Sequence, residues 1–466
     1  MKLNYKRTIL VGFAFFLISA FWQAYDAIIP LILTNHFGLP QTVSGAVMSI
    51  DNVLAVFMLP VFGAISDKIQ TKWGKRTPFV FIGTIVSVVS FISLTFIDNY
   101  QLALITEKGV SSLAAIDTTA AAELALELTL ANPLPLVGFI ATLLVVLIAM
   151  ATFRSPAVAL MPDVTVKPLR SKGNAIINLM GTAGGILVLV LGMVFATSKN
   201  KFMEYTPYVI AVCAIMLTGL VIFILTVKEK KWAEEMEEQT LKLGLDVPVA
   251  EGRTSDAKKL SKPELRSLLL ILASVALWYI GYNSITSKYS VYATNVLGFD
   301  FNFTLIVAQA AAIVSYIPVG IVASKIGRRK TILAGITMLA SAFLIGNFIT
   351  PETPSVVMYP VFALAGIGWA TINVNSFPMV VELAKGGEIG KYTGYYYTAS
   401  MAAQIVAPIL SGLLYDVVDR IVIGQGMRIM FFAFGTVFVA LSFVTMFFVK
   451  HGDAKPEKEI PVVDLD

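Results

Sequence analysis

Cysteine, histidine and charge are all scarce in this chain. Its 466 residues include one cysteine, Cys213, which excludes an intrachain disulfide framework. The two histidines, His36 and His451, lie in distant segments, so no His/Cys metal site is expected, and no metal or cofactor. Charged residues make up 14% of the sequence, against about 25% in soluble domains. By contrast 57% is hydrophobic, and the mean hydropathy is +0.78. That balance excludes an ordinary soluble globule and points to a protein integral to the bilayer. No nucleophile–base or metal constellation stands out, so an enzyme is not expected. The net charge of +5 would suit nucleic acid only if the basic residues gathered on a soluble face, and they lie instead in short loops between apolar runs.

Apolar windows of about 20 residues place spans near 8–34, 42–66, 77–97, 134–160, 173–197 and 205–227. A second set falls near 267–294, 302–324, 331–350, 356–383, 391–415 and 428–450. The first run is too long for a signal-peptide core and lacks a small-residue cleavage site, so it reads as a retained span. Lipid offers backbone groups no partners, which makes continuous helices the expected element. Of the 35 Lys and Arg residues, only Lys108, Lys199, Lys201, Arg420 and Arg428 fall in loops of one side, and only Arg154 and Lys288 within spans. The positive-inside bias then puts both termini in the cytoplasm of a plasma, bacterial inner, membrane. The outer loop 98–133 is acidic, and "AAAELALELTLA" within it suits a short surface helix that acts as a cap; His36 looks incidental.

Residues 228–265 form the only long polar stretch between spans, with mixed charges that suit a solvated linker. They divide the chain into an amino-terminal bundle, 1–227, and a carboxyl-terminal bundle, 266–450, followed by a tail, 451–466. The halves echo each other. Trp22, Tyr25, Asp26 and "TNHFG" at 34–38 correspond to Trp278, Tyr282, Asn283 and "TNVLG" at 294–298. "GAISDK" at 63–68 with "GKR" at 74–76 corresponds to "GIVASK" at 320–325 with "GRR" at 327–329. Asp163 and Glu382 end spans 4 and 10. The predicted fold class is an all-α membrane protein with twelve transmembrane helices in two pseudo-symmetric six-helix bundles.

The stretch "GAISDKIQTKWGKRTPF", 63–79, resembles the signature between spans 2 and 3 of the major facilitator superfamily. Its elongated form with a trailing Pro-Phe, together with "FRSPAVALMPD" and "PLRSKGNAI", is similar to the sucrose-type sugar:proton symporters and more loosely to the glycoside–pentoside–hexuronide:cation symporters. The resemblance implies a gate at the cytoplasmic face. Gly63 permits close helix approach, and Asp67 either pairs with Lys75 and Arg76 or caps a neighbouring helix. Asp163, Arg170, Arg328, Arg329 and Glu382 are the other gate candidates.

Ionisable residues within spans are costly, about 2.5–3.5 kcal/mol near the bilayer centre on insertion scales, and so mark function. Asp26 is the first candidate for proton coupling and Asp51 the second. Spans 1 and 7 face one cavity in the resembled fold, which makes Lys288 a partner for Asp26, directly, through substrate, or as a fixed structural pair. Arg154 contacts either substrate or a cytoplasmic carboxylate, Glu382 or Asp163. Trp22 and Asp26 share a helical face and combine an aromatic platform with a carboxylate, as sugar binding requires. Tyr25, Asn52 and Asn178 add polar candidates in the first half. The second half offers Trp278, Tyr279, Tyr282, Asn283, Gln309, Trp369, Asn373, Tyr396 and Gln404. Ala55 and Leu59 stand where the resembled sodium symporters pair carboxylates in span 2, and residues 134–153 lack the acid that plant sucrose carriers hold in span 4. The expected function is uptake of a di- or oligosaccharide or glycoside with a proton by a monomeric carrier, with uncoupled facilitation, a proton-coupled carrier or exporter of another polar solute, or a transporter-like membrane sensor as alternatives.

Overall fold

The computed structural model describes residues 3–166, 169–242, 260–383 and 389–452, side chains at 171, 324, 381 and 389–391 aside. Residues 243–259 of the linker and most of the expected tail lie outside that range. Twelve helices are long and apolar enough to cross a membrane, and among the described residues there is no strand. The chain is an all-α, multi-pass integral membrane protein. Below, outer and inner name the two sides as the Lys/Arg bias orients them.

The first of two compact units comprises Met1–Val249 together with Ser287–Phe303 and Tyr415–Gly426. Helix α1 (Tyr5–Leu31) starts at Asn4, whose side chain accepts the Arg7 N–H, and continues as a π-helical turn, Ile32–His36. Pro30 withholds one backbone donor there, and Thr34 Oγ1 donates to the Pro30 carbonyl at 2.7 Å. Then come α2 (Gln41–Lys68), α3 (Thr77–Glu107), α4 (Val110–Ala114), α5 (Thr118–Ala131), α6 (Leu134–Asp163), α7 (Arg170–Val194), α8 (Thr206–Thr226) and α9 (Glu229–Lys242). Helix α5 is the expected surface helix, capped by Asp117 at the N–H groups of Thr119 and Ala120. It lies against the turn after α1: Gly38 takes a left-handed φ of +65°, and a Cβ there would meet the α5 backbone.

Asp98 is not in a loop. Helix α3 runs ten residues past the expected end of span 3, and this carboxyl is fully buried beside His36, with Asp98 Oδ1 2.6 Å from His36 Nδ1. Gln101 donates to the His36 carbonyl and to Thr129 of α5, and Phe202 and Tyr205 stack on the imidazole. His36 is therefore a structural hub and not incidental. The unit also holds α11 (Tyr289–Val291), a second π-helical turn, Tyr292–Leu297, and the left-handed Gly298. The internal repeat thus extends to the backbone: "TNHFG" and "TNVLG" both form a π turn closed by a left-handed glycine.

The second unit, Ala250–Thr286, Thr304–Leu414 and Met427–Asp466, contains α10 (Lys262–Thr286) and most of α12 (Phe301–Ile326), α13 (Arg328–Gly346), α14 (Met358–Val381), α15 (Ile389–Ile421) and α16 (Gly426–Phe447). Small residues bring its helices close. Ser274 of α10 donates to the Ser442 carbonyl of α16 at 3.0 Å, and Gly335 of α13 faces Thr371 and Gly368 of α14.

Candidate transport site and inner gate

In the first unit three helices bring charge to one face. Asp26 of α1 is exposed, while Asp51 of α2 and Arg154 of α6 are half-buried. The charge of Asp51 acts on both Asp26 and Arg154, and Asn52 donates to Asp51 Oδ1 at 2.8 Å. Arg154 places its guanidinium 5.7 Å from the centre of the Trp22 ring. Trp22 and Asp26 share that face because they stand one turn apart. Acyl chains would penalise a face carrying two carboxylates and a guanidinium, so its composition suits water or a polar solute.

The neighbouring residues divide. Tyr25 is fully buried and stacked on Phe21 at 6.0 Å, and its hydroxyl has no hydrogen-bond partner among the described residues. Asn178 is exposed on α7 and donates back to the Asn174 carbonyl. Lys288 is not joined to Asp26 by any ion pair among the described residues. Its ammonium is buried, donating to the backbone carbonyl of Gln41 at 2.6 Å and to Gln41 Oε1 at 2.9 Å. The reason is local: α10 stops at Thr286 and α11 starts at Tyr289, so helical periodicity does not carry through to Lys288. Arg154 likewise does not meet Glu382 or Asp163, which pair with Arg328 and Arg76.

In the second unit the aromatic residues gather. Tyr282 stacks on Trp369 at 5.9 Å with 27° between the rings, and Tyr316 meets Trp369 edge-on at 6.4 Å. Trp278 is fully buried, its ring centre 4.0 Å from that of Tyr279, so it packs within the cluster and presents no open face. Tyr279 is hydrogen-bonded to Tyr396, and Tyr396 to Ser376 at 2.9 Å, which makes Tyr396 a buried link while Tyr395 and Tyr397 are exposed. Asn283 and Gln404 donate to carbonyls of their own helices. Gln309 and Asn373 are half-buried on α12 and α14.

At the inner side Arg76 is nearly buried and holds two helix ends. Its Nη2 donates to Asp67 at 2.5 Å, its Nε to Asp163 at 2.8 Å, and its Nη1 to Ser66 Oγ. Burial alone would lower its pKa; the bonds and charges of Asp163 and Asp67 outweigh that and raise it. Gly63 leaves room for Ser155 of α6. Lys75 contributes its backbone N–H, and Arg170 donates to the Pro162 carbonyl in the last turn of α6 and to the Thr165 carbonyl just beyond it. In the second unit Arg328 pairs with Glu382 at 2.6 Å, and Arg329 donates to the Met446 and Phe447 carbonyls at the end of α16.

The sequence matches the Major Facilitator Superfamily over residues 11–315 and 301–464. The chain belongs to this superfamily. It is a transporter by family and fold, not an enzyme. A stretch of 106 residues is 27% identical to the MFS-type transporter ppzB of Metarhizium rileyi, covering 23% of this chain and 21% of that protein. Among solved structures, the inward-open xylose transporter XylE from E. coli superposes with a TM-score of 0.64 at 13% identity, over 98% of both chains. A D-xylose–proton symporter gives 0.63 at 15% identity, over 96% of this chain and 99% of the other. The nucleoside transporter NupG gives 0.60 at 16% identity, over 94% and 99%. At such identities the likeness shows the fold alone.

One residue of this inner charge cluster escaped sequence reasoning. Glu229, the first residue of α9, accepts the backbone N–H groups of Lys75 (2.6 Å), Arg76 (2.8 Å) and Thr77 (2.8 Å) and the Thr77 hydroxyl (2.7 Å). It thereby caps the amino end of α3 from the linker. Gly74, at φ +115°, leaves the space that the Glu229 carboxyl fills. Trp232 is buried on the same helix and Arg7 pairs with Glu235, so α9 is docked to the first unit. A lone acid among the basic residues following span 6 was the available signal. Tyr316 and Ser376 were also missed, since neither breaks the pattern of its span.

Proposed function

We propose that this superfamily member is a secondary active importer of a small saccharide or glycoside, coupled to a proton and working by alternating access as a monomer. It sits in the plasma membrane with both termini cytoplasmic and its bundles at 1–227 and 266–450 joined by the 228–265 linker. The observation that carries the reading is the face of Asp26, Asp51, Arg154 and Trp22. Two carboxylates and one guanidinium lie on that face, a formal excess of one negative charge that a single proton neutralises. Asp26, exposed and without an ion-pair partner among the described residues, is the proton carrier; Asp51 stays with Arg154 and Asn52. Trp22 supplies an aromatic platform for the apolar face of a sugar ring, and the stacked Tyr282–Trp369 pair is a second aromatic surface within its own unit. A xylose transporter and a proton symporter among the structural neighbours agree with this choice, while a nucleoside carrier among them keeps other polar solutes in the comparison.

The test is uptake into proteoliposomes of a panel of mono-, di- and oligosaccharides, glycosides and nucleosides, with and without an imposed inward proton gradient. The proposal expects a saccharide to accumulate above its external concentration only with the gradient. Entry that merely equilibrates, with or without the gradient, would make the protein a facilitator.

A further inference from the structure

The first unit holds a second polar constellation, at its outer end, that neither coupling nor the inner gate uses. Helix α2 begins after Pro40, which offers no side-chain cap to the exposed N–H groups that follow. The cap comes from elsewhere in the chain. Asp416 of α15 accepts the Gln41 N–H on Oδ1 at 2.9 Å, and the Thr42 N–H and hydroxyl on Oδ2 at 2.7 and 2.5 Å. The carboxylate faces the positive end of the helix dipole. Lys288 closes the arrangement from the other side of Gln41, through that residue's carbonyl and amide oxygens, and its charge interacts with that of Asp416.

Beside this cap lies a symmetric contact. Asn295 Nδ2 donates to Asn35 Oδ1 at 2.7 Å and Asn35 Nδ2 to Asn295 Oδ1 at 3.4 Å. The two asparagines hold the same place in the repeated T-N-x-x-G sequence. A residue that meets its own repeat mate lies at the pseudo-two-fold axis, as in an isologous interface. Within the first unit, the turn after α1, the start of α2, the segment 287–303 and the outer end of α15 are thus tied together.

We propose that Asp416 is the gating residue of the outer mouth: it caps α2 in trans, with Lys288 and the Asn35–Asn295 pair completing a latch that must open before solute can enter from outside. The inference rests on the alternating-access reading but not on the identity of the solute. Opening separates α15 from α2 and exposes the amino end of α2 to water, which can replace the carboxylate, so the latch is reversible. Losing the carboxylate weakens the closed state and shifts the population towards the outward-open one.

Cysteine accessibility tests this without any transport assay, because the sole native cysteine, Cys213, is buried. Ser290 is also buried, two residues beyond Lys288, and its hydroxyl donates to the Asp26 carbonyl at 3.3 Å. Ser290→Cys is labelled with a membrane-impermeant maleimide from the outer side of sealed vesicles, alone and combined with Asp416→Asn or Lys288→Met. The proposal expects labelling to accelerate at least about tenfold in either combination, a shift of about 1.4 kcal/mol. Unchanged labelling in both, in protein that remains monodisperse, would overturn the latch even if saccharide uptake is normal. Faster labelling with no saccharide transported would uphold the latch and count against the saccharide reading instead.

Discussion

The guanidinium of Arg154 lies over the indole of Trp22, 5.7 Å from its centre, with Asp51 close enough for its charge to act on it. One side chain thereby links the aromatic platform to the carboxylates. Solute that stacks on Trp22 must share it with Arg154, and any shift of Arg154 changes the charge seen by Asp51 and, through it, by Asp26. Under the proposed coupling, substrate and proton would act on the same three spans.

Replacing Arg154 separates charge from shape. Arg154→Lys keeps one positive charge but loses the planar group that covers the ring. It should raise the KM for uptake about tenfold while accumulation still follows the proton gradient. Arg154→Gln leaves two carboxylates unbalanced and should abolish accumulation. Initial-rate uptake with and without a gradient distinguishes the two.

Asp26→Asn should remove accumulation and keep exchange of labelled for unlabelled solute, since the amide mimics a permanently protonated acid. Counterflow in preloaded proteoliposomes measures the retained step. Wild-type accumulation in this variant would take Asp26 out of the coupling mechanism.

Trp369 carries the stacking surface of the second unit. Trp369→Phe keeps an aromatic ring against Tyr282 and should change KM less than threefold, whereas Trp369→Ala should raise it about tenfold. Equal losses in both would mean that the indole serves packing and not solute.

Glu229 satisfies three backbone donors at once. Glu229→Ala should lower stability by about 0.5–2 kcal/mol, the usual range for a lost cap, and Glu229→Gln by less. Thermal unfolding in detergent reads the difference. A local effect on α3 should also loosen the Asp67–Arg76–Asp163 cluster beside it, so protease cutting in residues 69–76 should quicken in parallel.

The buried His36–Asp98 pair should prove structural. His36→Ala leaves the Asp98 carboxyl without its imidazole and should cost about 1–3 kcal/mol or more. Replacing both residues with apolar ones of similar size should cost less than the single change. A double-mutant cycle by thermal unfolding checks the sign of the coupling.

The architecture was readable from the sequence because the bilayer leaves the chain few options. Hydropathy marks the spans, and the repeat survives in short polar motifs that interrupt them. The Asp67–Arg76 pair was readable too: the two stand nine residues apart across one short loop. What escaped were contacts decided by backbone irregularity or by distance along the chain. The resembled fold, with spans 1 and 7 at one cavity, pairs Lys288 with Asp26, but the break between Thr286 and Tyr289 sends it to Gln41. His36 and Asp98 are 62 residues apart, and nothing local ties them. Trp22 and Trp278 are repeat mates, yet one is half-exposed and the other buried, since their neighbours have diverged.

The most direct test is the proton movement that accompanies saccharide entry, read by a pH-sensitive dye trapped inside proteoliposomes. With the wild-type protein, adding a transported saccharide outside should acidify the interior, and with Asp26→Asn it should not. Saccharide entering through the wild-type protein with no change of internal pH would contradict the account.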